Sequence, residues 1–420
     1  MEIINLKKLF KKNKEKHNKI LKVTVVGILA SSFVSAGSCS NGFCGGVVAP
    51  YIPSDIQENT NLQPFNLLNK KQIEKAYKGW ILVDNGGDNN IGENRLMSGI
   101  DFNSMLKDGD KLSLFGLISS ENLKNGKLAY AYPLNWNDII VEASYIQTNY
   151  SLDEIQPGVK GIGTNSGIKG KIIYPMINSE KEKLKFSLAF TNSQIDEERD
   201  SGSFISKNGK RAYSATANID FETKAYPLFD LDVNHKLSLG ITTGKLSFDN
   251  EADEKFDKKT LNTQGNYTKI NLDYKNTLAI SDNISMESKV RGQYALNNKN
   301  LDDSESFTIG GTNGAKLYEE STTYDSNGVF LNIEGKYKLP EFSSIKNKVG
   351  IFYDYGKIWA SDSGTSTDDK ISVQDIGLGL YTNYKKFFSR VQAAYIIGNP
   401  DVSTKDDKDY RIIVQAGIIF

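Results

Sequence analysis

Few residues of this 420-residue chain are placed to do chemistry together, and the best-placed pair is a cation and a carboxylate. Lys316 lies in FTIGGTNGAKLYEES, Phe307 to Ser321, a run whose Gly310, Gly311 and Gly314 read as a loop. Asp354 lies in IFYDYGKIW, Ile351 to Trp359, which reads as a strand. Side chains alternate along a strand with period two, so Phe352, Asp354 and Gly356 share one face. The chemistry on offer is ion pairing. A loop folded back onto that face would bring Lys316 to Asp354, with an attraction of about 4 kcal/mol at contact in an intermediate dielectric, less in a wet lumen. Lysine is a point charge on a flexible stem, so it cannot grip both carboxylate oxygens as a planar arginine fork does. Taken alone, the glycine run is also compatible with an ordinary surface turn.

Catalysis finds little support. Beyond the first 36 residues His235 is the one histidine, which leaves no Ser-His-Asp or Cys-His set and no histidine metal cluster. Asp302-Asp303 and Glu319-Glu320 fall in polar, loop-like runs and read as solvated. DNGGDNN, from Asp84, lacks the spaced carboxylates of a calcium loop. GIGTNSG, Gly161 to Gly167, lacks dinucleotide-binding spacing and reads as a strand interruption or turn. Neither a cofactor nor a metal is expected. Net charge is zero with interspersed signs, so there is no basic footprint for nucleic acid.

The elements that must position Lys316 and Asp354 are strands. Residues 1–36 have a secretory-signal layout: a Lys-rich start, an apolar stretch from Val23 to Val34, and Val34-Ser35-Ala36 as a cleavage site, with a signal anchor as the other reading. No later window approaches the 18 apolar residues of a spanning helix. Cys39 and Cys44 follow the signal, and a local disulfide, lipidation at Cys39 and free thiols all stay open. Residues 37–79 contain one credible helix, capped by Asn69, with Ile73, Ala76 and Tyr77 on its apolar face and Gly79 ending it. From Trp80 to Phe420 the pattern is apolar–polar alternation broken by Asn, Gly, Asp and Ser clusters, as in Leu184, Phe186, Leu188 and Phe190 against Lys183, Lys185 and Ser187. Counting segments gives sixteen strands. The fold class is all-β: a 16-stranded antiparallel transmembrane barrel over 80–420, after a short periplasmic segment. The longest unpatterned stretch, Asn298 to Asn327, holds the glycine run, and loops of that length are commonly functional.

The loop and strand motifs together resemble the TpsB family of two-partner secretion transporters. In that family a GG-x-x-G-V-R-[GA]-Y loop enters the barrel and its arginine pairs with the aspartate of an F-x-D-x-G strand. This chain has Ala315-Lys316-Leu317-Tyr318 at that place, so a lysine stands at the arginine position. Leu82 to Gly87 with Gly92 resembles the family's first barrel hairpin, and Tyr130-Ala131-Tyr132-Pro133-Leu134 its S-Y-x-x-P-L strand end. PFNLLNKKQIEKAYKGW resembles a helix of a periplasmic POTRA module. RIIVQAGIIF, ending in Phe420, resembles the C-terminal signal read by barrel-insertion machinery.

The resemblance implies an outer-membrane, non-enzymatic transporter that passes an unfolded partner exoprotein to the cell surface. Lys316 and Asp354 would lock the loop in the lumen, Gly310, Gly311 and Gly314 would shape it, and Tyr318, Phe352 and Gly356 would accommodate its tip. Outer-membrane lipid and the insertion machinery are the other implied partners. Residues 37–79 are shorter than an independent domain of ~50 residues, so they hold at most a POTRA remnant. A separate POTRA-containing chain, or a degenerate barrel, are alternatives. So are a passive porin for small hydrophilic solutes and a barrel that inserts other barrels.

Overall fold

The computed structural model describes residues 76–420 apart from 90, 135–137, 157–158, 201–204, 225–230, 362–369, 399, 403 and 405–407. The signal, both cysteines and the helix expected before residue 76 lie outside the described residues.

The first half of the barrel comprises β1 (Tyr77–Asp84), β2 (Arg95–Asn103), β3 (Lys111–Ser119), β4 (Lys124–Pro133), β5 (Ile140–Gln156), β6 (Val159–Asn178), β7 (Glu182–Asp200) and β8 (Ile205–Thr223). After β9 (Val233–Phe248) comes a helix, α1 (Glu251–Lys259), then β10 (Gly265–Ala279) and β11 (Ile284–Ala295). A two-stranded ribbon, β12 (Phe307–Thr308) with β13 (Tyr324–Asp325), lies inside the next connection. The wall resumes with β14 (Asn327–Lys338), β15 (Ile345–Trp359), β16 (Ile371–Tyr384), β17 (Phe387–Ile396) and β18 (Tyr410–Ile419). Sixteen of these strands, all antiparallel neighbours, close when β18 pairs with β1. Closure is continued by the last residue: Phe420 and Gly79 exchange both backbone hydrogen bonds at 2.9 and 3.0 Å.

Alternation explains the wall. Ile162, Ile168, Ile172, Phe190, Ile241, Leu378, Ile412 and Val414 are exposed on the outside, as lipid requires, while the inward face mixes polar and small residues with buried apolar ones such as Phe330, Phe352 and Ile358. Exposed Tyr77, Tyr132, Tyr174, Tyr337 and Tyr384 lie towards one rim, and Tyr213, Tyr294, Tyr395 and Tyr410 towards the other, forming two aromatic girdles. Connections such as 120–123, 249–264, 296–326 and 397–409 leave one rim, and short turns such as 179–181, 280–283 and 385–386 the other. In barrels of this kind the short-turn rim is periplasmic and the rim of long loops faces outwards.

Three expectations about the elements are corrected, and so is the reading of Asp302 and Glu319 as solvated, since both are buried. Tyr77 and Gly79 belong to β1, where they pair with Phe102 and Ile100, instead of completing a helix. GIGTNSG is uninterrupted strand in β6: it pairs with β5 throughout, and a Cβ at Gly163 would collide with the Tyr150 ring. Strands β5 to β8 also run further towards the outer rim than the alternation shows. Their ends, such as Gln194 to Asp200, turn polar on the outward face because above the lipid that face meets water, while Ile195 and Glu197 stay buried on the inward face and the backbone ladder continues.

Candidate functional site

Residues 296–326 do not stay outside. The connection bends inwards and is tied to the wall at its base, flank and tip. At the base, Asp302 caps a 3₁₀ turn, Asp303–Glu305, and accepts Lys210 of β8 at 2.9 Å. Glu305 meets Lys269 of β10 at 2.7 Å, and Gln293 of β11 donates to the backbone oxygens of Glu305 and Ser326. On the flank, the Arg291 guanidinium donates to the Thr308 carbonyl at 3.2 Å and lies over the rings of Phe307 and Phe330.

Beyond the β12–β13 ribbon the chain turns on its glycines. Gly311 has φ +84°, the left-handed region that glycine enters at no steric cost. Gly314 donates to the Gly311 carbonyl at 3.0 Å, and a Cβ there would strike the carbonyl oxygens of Ile309 and Gly310. The resulting knot buries Ile309, Ala315, Leu317 and Tyr318 completely, against Phe330, Phe352, Ile358, Val373 and Ala394 of the wall. Full burial of side chains the size of Ile309 and Leu317 is worth roughly 1.5–3 kcal/mol each, so apolar packing as well as charge holds the tip.

The structure brings Lys316 and Asp354 together. Lys316 Nζ is 2.5 Å from Asp354 Oδ2 and 4.3 Å from the centroid of the Phe352 ring. Because the lysine takes one oxygen only, the other is free for Asn332 of β14, whose Nδ2 donates to Asp354 Oδ1 at 2.6 Å. The carboxylate is not alone on its face. Asp375 of β16 stands beside it and accepts the Leu317 N–H at 2.9 Å. The Tyr318 hydroxyl donates to the Gln374 carbonyl at 3.2 Å. Gly356 receives Ile309 instead of the Tyr318 tip: a Cβ there would lie 2.7 Å from Ile309 Cβ. Phe352 carries the lysine on its ring, and that ring fills the space a Cβ at Gly377 would need.

Sequence reading missed the partner that joins the tip to the barrel seam. Arg411 of β18 donates through Nη1 to the carbonyls of Lys316 at 3.1 Å and Tyr318 at 3.5 Å, and through Nη2 to that of Gly87 at 3.1 Å. The first loop presses on the tip as well: the Asn89 N–H donates to Glu319 Oε1 at 2.9 Å, and Thr312 occupies the space a Cβ at Gly86 would fill. Glu320 lies among Arg95, Arg291, Arg411 and Asp88. Burial first, then the Asp88 carboxylate, push its carboxyl up, and the three arginines only partly offset them. Phe420, the candidate insertion signal, lays its ring where a Cβ at Gly79 would lie, 2.6 Å away.

A closed sixteen-stranded barrel with lipid-facing aromatic girdles and one long loop packed against the inside of its wall defines an outer-membrane transport barrel. Residues 66–381 match the model of the haemolysin secretion/activation protein family ShlB/FhaC/HecB. The chain belongs to that family, whose members are two-partner secretion transporters acting with a secreted protein. It is 25% identical over 324 residues to the heme/hemopexin transporter protein HuxB of Haemophilus influenzae, covering 75% of this chain and 55% of that protein. The chain thus spans about half the length of the curated relatives it matches. In structure it is similar to CdiB from Escherichia coli, with a TM-score of 0.71 at 14% identity over 93% of this chain and 75% of the other. CdiB from Acinetobacter baumannii gives 0.61 at 15% identity, over 82% and 60%.

Proposed function

We propose that this barrel exports a partner polypeptide through its lumen, and that the loop locked by Lys316 and Asp354 is the part that yields to let it pass. The observation that carries the reading is the sealed Lys316–Asp354 contact: it holds a folded knot against one side of the lumen in a barrel of a family that works with secreted proteins. No residue in the site is arranged for bond chemistry. What the lock offers is two states: a tip seated on the β14–β18 wall, and a tip released once its buried pair and apolar seat are broken. In this reading residues 1–36 direct the chain out of the cytoplasm and residues 37–79 form a short periplasmic segment. Capture of the exoprotein falls to that segment, to the rim, or to a POTRA-bearing partner chain. Lipid surrounds the girdles, and Phe420 is what the insertion machinery reads.

A paired secretion and conductance assay tests this. Replacing Lys316 and Asp354 by cysteines, with Cys39 and Cys44 changed to serine, and joining them with a reducible bis-thiol cross-linker long enough to replace the lysine stem should stop export by pinning the tip, with reduction restoring it. Export unaffected by the cross-link would reject the loop as the moving part. High steady conductance of the unmodified barrel with no exoprotein at the surface would instead support a passive porin.

A further inference from the structure

The most exposed large apolar side chain among the described residues is on neither the lipid face nor the loop. It is Leu106, 81% exposed, next to Met105 at 55%, in the β2–β3 turn on the short-turn rim. A water-facing leucine on a floppy turn would mean little, but this turn is built to be stiff. Asp110, 1% exposed, accepts the backbone N–H groups of Met105, Leu106 and Lys107 at 2.7, 2.9 and 3.0 Å, and the Tyr130 hydroxyl at 2.6 Å. These donors outweigh its burial and hold its carboxyl below the usual range, so it stays charged at periplasmic pH. Ser104 and Gly109 sit at φ +55° and +87°, and Lys107 donates to the Pro133 carbonyl of the neighbouring strand at 3.0 Å. A buried carboxylate is thus spent on holding two apolar side chains out in water. Such pre-ordering spares a docking partner most of the usual ordering cost.

We propose that this turn is a docking knob for the chain's own residues 62–75, which it receives on Met105 and Leu106. The place where the chain enters argues for this occupant. The Ala76 carbonyl accepts the Asn103 N–H at 2.9 Å, so the preceding residues emerge one position from the turn. Three residues span at most ~10 Å, which keeps Ile73 within reach of Leu106. The segment supplies Leu62, Phe65, Leu67, Leu68 and Ile73 for the knob, and Lys70, Lys71 and Lys75 for the exposed Asp108 beside it. The inference is independent of what the barrel carries.

The test uses the full chain in liposomes, with Cys39 and Cys44 replaced by serine. Leu106→Cys is paired with Ile73→Cys or with Glu74→Cys, whose side chain points elsewhere whether the segment is helical or extended. A short thiol cross-linker should join the Ile73 pair several-fold faster; equal rates would mean a mere tether and overturn the proposal. Leu106→Asp should speed tryptic cleavage at Lys70, Lys71 and Lys75 at least fivefold, with heat-modifiable gel mobility showing an intact barrel, and Leu106→Ser serves if the aspartate variant fails to fold. An unchanged cleavage rate overturns the proposal. So does quenching of a fluorophore at Leu106→Cys by nitroxide lipid to the extent seen at lipid-facing Ile81→Cys, which would assign the knob to the membrane.

Discussion

Asp375 stands directly across the β15–β16 register from Asp354, and both carboxylates are wholly sealed from solvent. Lys316 Nζ neutralises the first, whereas the second receives a backbone N–H from Leu317 and keeps Oδ1 without a hydrogen bond among the described residues. One lysine therefore sits on a two-carboxylate seat. That shapes what each substitution should do.

Removing the lysine should be worse than removing the pair. Lys316→Met leaves two buried carboxylates facing an apolar side chain, and breaking a buried pair from one side costs ~3–5 kcal/mol. Lys316→Met with Asp354→Asn removes the one charge that the lysine had neutralised and leaves Asp375 with its Leu317 donor, as in the unsubstituted protein. Spin labels at Asn313→Cys should show a strongly mobile tip in the single variant and a tip close to the unsubstituted protein in the double. Equal mobility in the two would mean that apolar packing alone seats the tip.

Lys316→Arg should tighten the seat, and Asp375 should be the reason. Asp354 Oδ1 already belongs to Asn332, so the second arm of a guanidinium finds its free acceptor in Asp375 Oδ1. A hydrogen bond between charged groups is worth ~1.5–3 kcal/mol. Label mobility should fall in Lys316→Arg and fall much less when Asp375→Asn is added. If both backgrounds respond alike, the fork gains nothing from the second carboxylate.

The barrel was legible in the sequence wherever lipid and water act on opposite faces of one strand, as along Leu184 to Phe190. Where the outward face also meets water, as from Gln194 to Asp200, its residues turn polar and the apolar–polar contrast vanishes, although Ile195 and Glu197 stay buried on the inward face and the hydrogen-bond ladder continues, so the strand ends were invisible. The helix α1 was hidden for a related reason: DNEADEKFDKK offers only Ala252 and the exposed Phe256 as apolar residues, and its stability rests on the Asn250 cap and on acids in the first turn and lysines in the last. Lys316 and Asp354 stood out because a motif marks both. Asp375 carried a fainter signal, an acid on the inward parity of a strand between Val373 and Gly377. Arg411 carried none. Its partners are backbone carbonyls of the loop and of Gly87, and no side-chain type marks a carbonyl.

Arg411 should couple the loop to the β1–β18 seam. That seam registers over five residue pairs, and Asn85 extends it with side-chain bonds to Val414 and Ile412 at 2.7 and 2.9 Å. One guanidinium then joins β18, the first loop and the tip. Arg411→Met removes donors from three buried carbonyls, so amides of Leu82 to Asp84 should exchange at least about tenfold faster, with the label at residue 313 loosened in parallel. A loosened tip over an unchanged seam would show that the two are independent.

The tip should loosen as pH rises, and Glu320 should be the cause. Its carboxyl is raised from 4.5 to about 8, by burial first and then by Asp88, so the folded loop favours the protonated form. A raised folded value gives stability that is complete below the unfolded value and is lost as pH climbs through the folded one. The contribution is thus present below about pH 4.5 and fades towards pH 8. Label mobility at residue 313 should rise between those limits. Glu320→Gln keeps the shape without the titration, so it should hold the tip at its low-pH mobility across the range. A rise that persists in the glutamine variant would place the titrating group elsewhere.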